Sequence, residues 1–462
     1  MEQTIKKVKP ELPSGFRDYM PQEMIPRQKM LDIIRRVFES FGFDPLDTSI
    51  VEKFEVLTGG EESFRMNLFR TGIVTGTKEV EADDLSEMAL RFDLTVPLAR
   101  VMAGNMDLPK PFKRYQTGYV FRGEKAQKGR YRGFTQFDAD TVGSDSMMAD
   151  TEIINLMYAT MKALNVDDFV IRINNRKILN AFAELANFAG SEDKKKEVFR
   201  ILDKIEKVSW KEIESDLRRS PENEFDFNAP NLGDNEIEVI KKFVNLKGTN
   251  EEILDELENW FAKIETGKEG VNELKEIVIN LKALNIPEKN WKVDLSIARG
   301  LGYYTGPVFE TMLTQLPNFG SVFSGGRYDG LVEKFSDAKF PATGASIGVD
   351  RFFAAMEEIG KVEKAKTLTQ VIIFNLGKEL SVDYLQIADE LRQAEFRTQV
   401  YLGQELAFKA QMAYALNQEI PFIIFLGNDE KEKGIVQIKD TRNRKQEEVD
   451  RKKIVSYIEG KL

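Results

Sequence analysis

Apolar residues recur at helical spacing between Pro26 and Phe41, where Met30, Ile33, Ile34, Val37, Phe38 and Phe41 fall at i, i+3, i+4, i+7 intervals and Gly42 follows as a stop. The stretch PLDTSIVEKFEVL (45–57) then reads as a strand and its continuation. Residues 60–87 turn polar and predict a hairpin with a loose tip. In LRFDLTVPLARVMA (90–103) a strand carrying Arg91, Asp93 and Thr95 on one face should run into a helix at Pro97, with Asp93 as a strand-end cap the equal alternative. Two further strands, Tyr115–Arg122 and Phe134–Asp140, flank a basic loop, and a helix over Asp145–Leu164 and a strand over Phe169–Asn174 follow.

From about 176 to 289 the pattern changes to Lys/Glu-rich helical periodicity. One stripe holds Val198, Ile201, Leu202, Ile205 and Val208, another Leu254, Leu257, Phe261 and Ile264, a third Leu274, Ile277, Val278 and Leu281. Sheet texture returns with KVDLSIA (292–298), Val308–Leu313, SVFSGGRYDGL (321–331) and GASIGVDRFFAAME (344–357), the last a strand entering a helix through Gly348. After a charged linker at 362–369, strands and helices alternate from Gln370, which predicts an α/β domain with a mainly parallel sheet. The boundaries that result are a core in two pieces, 1–175 and 290–361, a helical insertion at 176–289, and a terminal α/β domain at 366–462. The fold class is α+β.

Composition changes this picture in two ways. The chain of 462 residues, 42% hydrophobic and 31% charged, has the core-forming capacity of a globular protein of roughly three domains at about 150 residues each. No apolar run approaches the roughly 20 residues that cross a bilayer, and MEQTIKKVKP lacks an apolar segment after its lysines, so neither a membrane partner nor a secretory signal is expected and the location should be cytoplasmic. The net charge of −10 disfavours nucleic-acid binding by the whole surface. It leaves local basic patches, such as the 125–132 loop and the segment from Lys439 to Lys453.

The second change is sharper. The sequence contains no cysteine and no histidine, which points to a compositional bias or a deliberately reduced alphabet. Disulfides, thiolate nucleophiles, imidazole bases and Cys/His zinc sites are therefore excluded, and chemistry has to rest on Arg, Lys, Asp, Glu, Tyr, Gln, backbone dipoles or a hard metal ion.

Period-2 geometry puts Gln116, Gly118, Val120 and Arg122 on one face of the first strand, and Phe134, Gln136, Asp138 and Asp140 on one face of the second. The loop between them holds Lys125, Lys128, Arg130 and Arg132 among glycines 123, 129 and 133. A cationic loop above such a face suits a polyphosphate or a nucleic-acid end; a charged hairpin with a solvated tip is the plainer alternative. Arg299 stands among glycines 300, 302 and 306 with Tyr303 and Tyr304 behind it, and a double glycine marks 325–326. Arg351, in the first turn of a helix, opposes the helix dipole, which makes sense with an anion opposite or with a salt bridge.

Four stretches in order, FRGEKAQKGRYRGF (121–134), ARGLGYYTG (298–306), SGGRYDGL (324–331) and GASIGVDRF (344–352), resemble the histidyl-tRNA synthetase family of class II aminoacyl-tRNA synthetases, and the likeness extends over essentially the whole chain. The resemblance implies an antiparallel catalytic sheet of six or more strands, an inserted helical domain, a C-terminal α/β anticodon-binding domain and a homodimer. It implies ATP-dependent joining of L-histidine to the 3′ end of tRNA(His) through an adenylate, with Mg²⁺ bridging the ATP phosphates and no metal site of the protein's own. By the same resemblance Arg122 and Arg299 would flank the α-phosphate, and Arg351 with Arg130 would hold the γ-phosphate. Phe134 would stack on adenine and Glu124 would lie near the purine edge. Asp140 and Tyr304 would read the imidazole. Asp93, Thr95, Gln136 and Tyr303 would surround the α-amino group, and Gly325 and Gly326 would let the pocket wall close in. The chain departs from the family pattern at Ser49, where a proline is usual, and at Gly302, where an aspartate is usual. A catalytically silent relative, such as the regulatory subunit of ATP phosphoribosyltransferase, typically lacks the C-terminal domain and the full arginine set. A tRNA-sensing module without turnover is the other alternative.

Overall fold

The structure, a computed structural model, describes residues 8–59, 68–72, 87–125, 129–202, 204–205, 208–221, 226, 228–297 and 304–461. They belong to two units, Met1–Arg17 with Leu31–Lys361, and Asp18–Met30 with Val362–Leu462. The chain begins with helix α1 (Pro21–Ser40), β1 (Asp44–Pro45), β2 (Val51–Lys53), α2 (Phe54–Thr58), β3 (Arg70–Thr71), β4 (Met88–Leu90) and α3 (Thr95–Gly104). It continues through β5 (Phe112–Phe121), β6 (Gly133–Val142), α4 (Met147–Ala163) and β7 (Phe169–Asn175). Helices α5 (Arg176–Leu185), α6 (Glu192–Leu202), α7 (Trp210–Arg218), α8 (Asp234–Val244), α9 (Asn250–Trp260) and α10 (Glu265–Ala283) follow without an intervening strand among the described residues. The sheet resumes with β8 (Trp291–Val293), β9 (Pro307–Leu313), β10 (Phe323–Arg327) and β11 (Ala342–Gly348), closed by α11 (Val349–Glu358).

Eight of these strands make a sheet in the order β1-β5-β6-β11-β10-β9-β7-β8, and β2-β4-β3 form a separate three-stranded sheet. The interior pairings are antiparallel, and the two edge pairings, β1 with β5 and β7 with β8, are parallel. Alternation sets the two faces. Odd-numbered residues of β6 face the helices: Phe137 is buried, with its ring centroid 5.0 Å from that of Phe38 on α1. Ile153, Ile154, Met157 and Met161 bury the matching stripe of α4.

On that helix-facing side Arg327 of β10 meets Asp150 of α4. Both side chains are buried, and Arg327 Nε donates to Asp150 Oδ2 at 3.1 Å. Burial is the larger influence on Asp150 and holds its pKa up at about 6 despite the guanidinium. Asp150→Ala removes the buried partner of Arg327 and leaves it the half-exposed Asp329 at 3.5 Å, so a loss toward the lower end of about 3–5 kcal/mol is expected, read from urea unfolding. A loss below about 1 kcal/mol would show that water reaches Arg327.

Several local expectations change. Helix α1 starts at Pro21 rather than Pro26; either proline fits a first-turn position, and the helix carries Pro26 inside it. The polar hairpin survives as the β3–β4 pair, and its tip lies outside the described residues. The strand read through Asp93 and Thr95 stops at Leu90, and Thr95 opens α3. Asp93 ends the strand by accepting the Val96 N–H at 3.1 Å, a local bond that competes with strand pairing. Arg91, expected beside Asp93, instead lies buried over Gly118, donating to the carbonyls of Thr48 (2.7 Å) and Tyr119 (2.9 Å). A Cβ at 118 would stand 2.3 Å from its guanidinium, so the glycine makes room for it. The strand at 292–298 is confined to Trp291–Val293.

The second unit carries β12 (Val371–Ile373), α12 (Ser381–Gln393), β13 (Thr398–Val400), α13 (Phe408–Asn417), β14 (Phe422–Phe425), α14 (Asn428–Lys433), β15 (Ile435–Asp440), β16 (Lys445–Asp450) and α15 (Ile454–Glu459). Its five-stranded sheet, β13-β12-β14-β15-β16, is parallel over the first three strands and antiparallel beyond. β16 escapes a reading by hydrophobic alternation because KQEEVD buries only Val449; it is a charged edge strand. No helix among the described residues is long and apolar enough to cross a membrane.

Candidate active site

Even-numbered residues of β6 face away from the helices, and the register extends each across the sheet as a row. Asp140 lies opposite Arg114 on β5 and Gly344 on β11, and Gly344 lies opposite Gly326 on β10. Asp138 lies opposite Gln116 and Ser346, continuing through Ser324 to Glu310 on β9. Gln136 lies between Gly118 and Gly348. The small residues at 344, 346 and 348 keep this face low, and a cavity of about 370 Å³ opens above it.

This cavity gathers most of the residues the sequence singled out. Asp140, Gln136 and Phe134 line it from β6, Arg122 from the end of β5, and Asp93 and Thr95 from the start of α3. Tyr304 and Gly325 contribute from the other side, while Glu124, Arg130 and Arg351 stand along its wall. Gly326 is covered instead: a Cβ there would meet the Tyr304 ring at 2.9 Å, so this glycine seats the tyrosine. Arg299 and Tyr303, and with them Gly302 and Lys128, lie outside the described residues.

Acid and base divide the cavity. On the floor, Asp93, Asp138 and Asp140 are buried carboxylates; the fully buried guanidinium of Arg114 lies 2.9 Å from Asp140 Oδ2, and that of Arg91, tied to backbone carbonyls, feels the Asp138 charge. Burial pushes the Asp93 carboxyl up to about 6; the Val96 N–H and the guanidinium of Arg122 oppose the rise. Burial also raises Asp138 and Asp140, with Arg114 opposing in both cases and the Asp140 charge adding to the rise at Asp138. Tyr304 is held protonated, first by the enclosure of its hydroxyl and then by the three carboxylates. The floor is thus short of positive charge, and Asp93 Oδ2, Gln136 Oε1 and Asp138 Oδ2 are buried there without a hydrogen-bond partner. Unpaired buried acceptors are costly unless a ligand supplies donors.

A carboxylic acid whose pKa is higher folded than unfolded binds its proton more tightly when folded, so stability falls as pH rises between the two values. For Asp93 the window runs from 3.8 to about 6. The Asp93→Asn protein should therefore gain in melting temperature relative to the parent as pH rises from about 4 to 6. A difference independent of pH in paired thermal melts would contradict the assignment.

The cationic wall is differently built. Arg122 Nε donates to the Phe92 carbonyl at 3.1 Å, and its guanidinium carbon lies 5.1 Å from the centre of the Phe134 ring. Arg351, in the first turn of α11, donates to the Phe319 carbonyl and lies 5.5 Å from that residue's ring centre. Its neighbour Asp350 supplies the acid at the helix start and accepts the Thr135 N–H at 2.6 Å. The basic loop is braced from the chain's beginning. Arg132 N–H donates to the Gly15 carbonyl at 2.8 Å, and Arg17 Nη1 donates to the Tyr131 hydroxyl at 3.0 Å.

Sequence reasoning placed Asp138 on the correct face without giving it a role, and it passed over Tyr328, Ser346, Arg114 and Glu310. Tyr328 donates its hydroxyl to Asp140 Oδ1, and Gly344 leaves the space that carboxylate occupies: a Cβ at 344 would stand 2.1 Å from Oδ1. The signals were present in the alternating small residues Gly344, Ser346 and Gly348 and in the tyrosine of SGGRYDGL. The cross-strand register that joins them is not.

A family model described as Histidyl-tRNA synthetase matches residues 15–352, and one described as Anticodon binding domain matches residues 370–461. The histidine–tRNA ligase of Clostridium tetani is 38% identical over 463 residues, spanning 98% of this chain and 99% of its own. That of Paracoccus denitrificans is 41% identical over 448 residues, with 94% and 90% covered. The crystal structure of histidyl-tRNA synthetase from Nostoc superposes with a TM-score of 0.84 at 33% identity, over 99% of this chain and all 100% of the other. A Bacillus halodurans structure, described as an ATP phosphoribosyltransferase regulatory subunit/histidyl-tRNA synthetase, shares the fold at a TM-score of 0.71 and 22% identity, over 91% of this chain and 99% of its own.

Proposed function

The chain belongs to the histidyl-tRNA synthetase family, and from that premise we propose how its cavity performs the reaction. The protein is an ATP-dependent histidine–tRNA ligase that charges tRNA(His) with histidine through a histidyl-adenylate. Its cavity divides that chemistry between an acidic floor that selects the amino acid and a basic wall that neutralises phosphate.

The observation that carries the assignment is the trio of unpaired acceptors on a floor short of positive charge, facing a wall of arginines. Histidine has the matching donors, an α-ammonium group and the ring N–H. Asp93, Thr95 and Gln136 take the ammonium group, together with Tyr303. Asp140 and Tyr304 read the imidazole, and Tyr328 holds Asp140 in place. A pocket whose acceptors are left unpaired by an apolar analogue discriminates strongly against it.

The first step brings two anions together: the histidine carboxylate attacks the α-phosphorus of ATP and pyrophosphate leaves. No protein nucleophile or imidazole base is needed, so the absence of histidine and cysteine from the chain costs nothing here. Charge neutralisation and alignment are the protein's contribution. Arg122 holds the carboxylate and the α-phosphate, with Arg299 on the phosphate's other side. Arg351 and Arg130 hold the γ-phosphate, Phe134 stacks on adenine, and Glu124 lies near the purine edge. Mg²⁺ would accompany ATP and neutralise charge on the phosphates that leave as pyrophosphate. The 123–133 loop meets the acceptor end of the tRNA, residues 176–289 form the inserted helical domain, and residues 366–462 receive the anticodon. The protein acts in the cytoplasm as a homodimer, for which light scattering should give twice 52.8 kDa.

Histidine-dependent exchange of pyrophosphate into ATP tests the reading directly. Exchange that needs histidine and no tRNA supports it. Retention of tRNA binding with no exchange would make the protein a sensor instead.

A further inference from the structure

One chain of hydrogen bonds on the cavity floor has a direction. Gln136 Nε2 donates to Ser346 Oγ at 2.6 Å, and the Ser346 hydroxyl donates to Asp138 Oδ1. Ser346 and Asp138 are register partners on β11 and β6, and Gln136 lies two residues from Asp138 on the same face, so the sheet itself brings the three together. At pH 8, above the value of about 7 to which burial lifts it, the Asp138 carboxylate is ionised and can only accept. The serine must therefore spend its one proton on Asp138, and its lone pairs then face Gln136. Gln136 can meet them only with its NH₂ end, which leaves Oε1 as the end without a partner. Without the serine, nothing in this chain of contacts tells the two ends of the amide apart.

We propose that Asp138 and Ser346 are positioning residues that fix the polarity of the Gln136 amide, so that its carbonyl oxygen, and not its NH₂ group, is presented to the α-ammonium group of histidine. The inference rests on the cavity being the histidine pocket. It adds that ammonium recognition is set two side chains away from the substrate. With the amide reversed, Gln136 would place two N–H donors against a cation, replacing attraction by repulsion. The contribution to histidine binding therefore exceeds that of a single lost hydrogen bond between neutral groups.

The test is pyrophosphate exchange by the full-length protein at pH 8 with Ser346→Ala, Ser346→Thr, Gln136→Ala and the double variant Gln136→Ala/Ser346→Ala. Ser346→Ala should raise KM for histidine about tenfold and leave kcat and KM for ATP within about twofold of the parent. Ser346→Thr, which keeps the hydroxyl, should restore KM to within about threefold. The double variant should be no worse than Gln136→Ala alone, because the serine acts only through the glutamine. Competitive inhibitors add a readout that a general loss of structure would not give. Histidinol, which has the ammonium group, should weaken by the same factor in Ser346→Ala; imidazolepropionate, which lacks it, should inhibit both proteins equally. The proposal is overturned if KM for histidine in Ser346→Ala stays within twofold of the parent, if both inhibitors weaken alike, or if the two single losses multiply in the double variant. A parent without histidine-dependent exchange would instead remove the assignment of the pocket.

Discussion

Arg122→Ala is expected to slow adenylate formation about 10²–10³-fold in single-turnover measurements, the usual consequence of removing one prepositioned charge from a developing anionic centre. The side chain is well placed for this. Its Nε is anchored on the Phe92 carbonyl and its guanidinium carbon lies 5.1 Å from the Phe134 ring centre, so the group is held by two contacts before any ligand arrives. Arg122→Lys should recover little, because an ammonium group cannot both keep the Phe92 bond and straddle a phosphate and a carboxylate. Because Arg122 is only partly buried, the melting temperature should move little. Adenylation within tenfold of the parent would take Arg122 out of the chemistry.

The second large effect is expected at Asp140. Asp140→Asn keeps the shape and can still accept from Tyr328, but it removes the charge opposite Arg114 and one charged acceptor for the imidazole. Hydrogen bonds to charged groups contribute about 1.5–3 kcal/mol, so KM for histidine should rise roughly 10–150-fold while KM for ATP stays near the parent value. The buried Arg114, whose Nε and Nη1 already lack hydrogen-bond partners, then loses its ion-pair partner and keeps only the charges of Asp138 and Asp93, and a lower melting temperature should accompany the change. An unaltered KM for histidine, or an equal rise in both constants, would relocate imidazole recognition.

Much of this architecture was legible in the residues alone. Strands β5 and β6 carry strong period-2 patterns, and that period alone put Gln136, Asp138 and Asp140 on one face. The helical insertion announced itself through stripes such as Leu274, Ile277, Val278 and Leu281, all buried on α10. The pattern read less well where a local bond outweighed it. Asp93 caps the turn leading into α3, the alternative that the sequence left open beside a continued strand. Arg91, read on the same face as Asp93, ties backbone carbonyls together instead. β16 has almost no apolar alternation to read. The partners of the site residues were hidden for a different reason. Ser346 and Tyr328 reach Asp138 and Asp140 only through strand register, which pairs positions about 200 residues apart, at separations of 208 and 188.

The lead-in at Pro13–Arg17 carries a practical consequence. Gly15 has φ +89° and leaves no room for a Cβ, which would stand 2.8 Å from the Arg132 side chain; the Ser14 carbonyl also receives Arg132 Nη1. A shortened protein trimmed to start at residue 18 would keep every strand of the sheet and every acidic residue of the pocket floor, yet it would free the Arg130–Arg132 end of the basic loop from its tether. Such a protein should still take up the amino acid normally and handle the nucleotide poorly, so tidy truncation at the apparent edge of the domain would yield a well-behaved sample with a misleadingly weak enzyme.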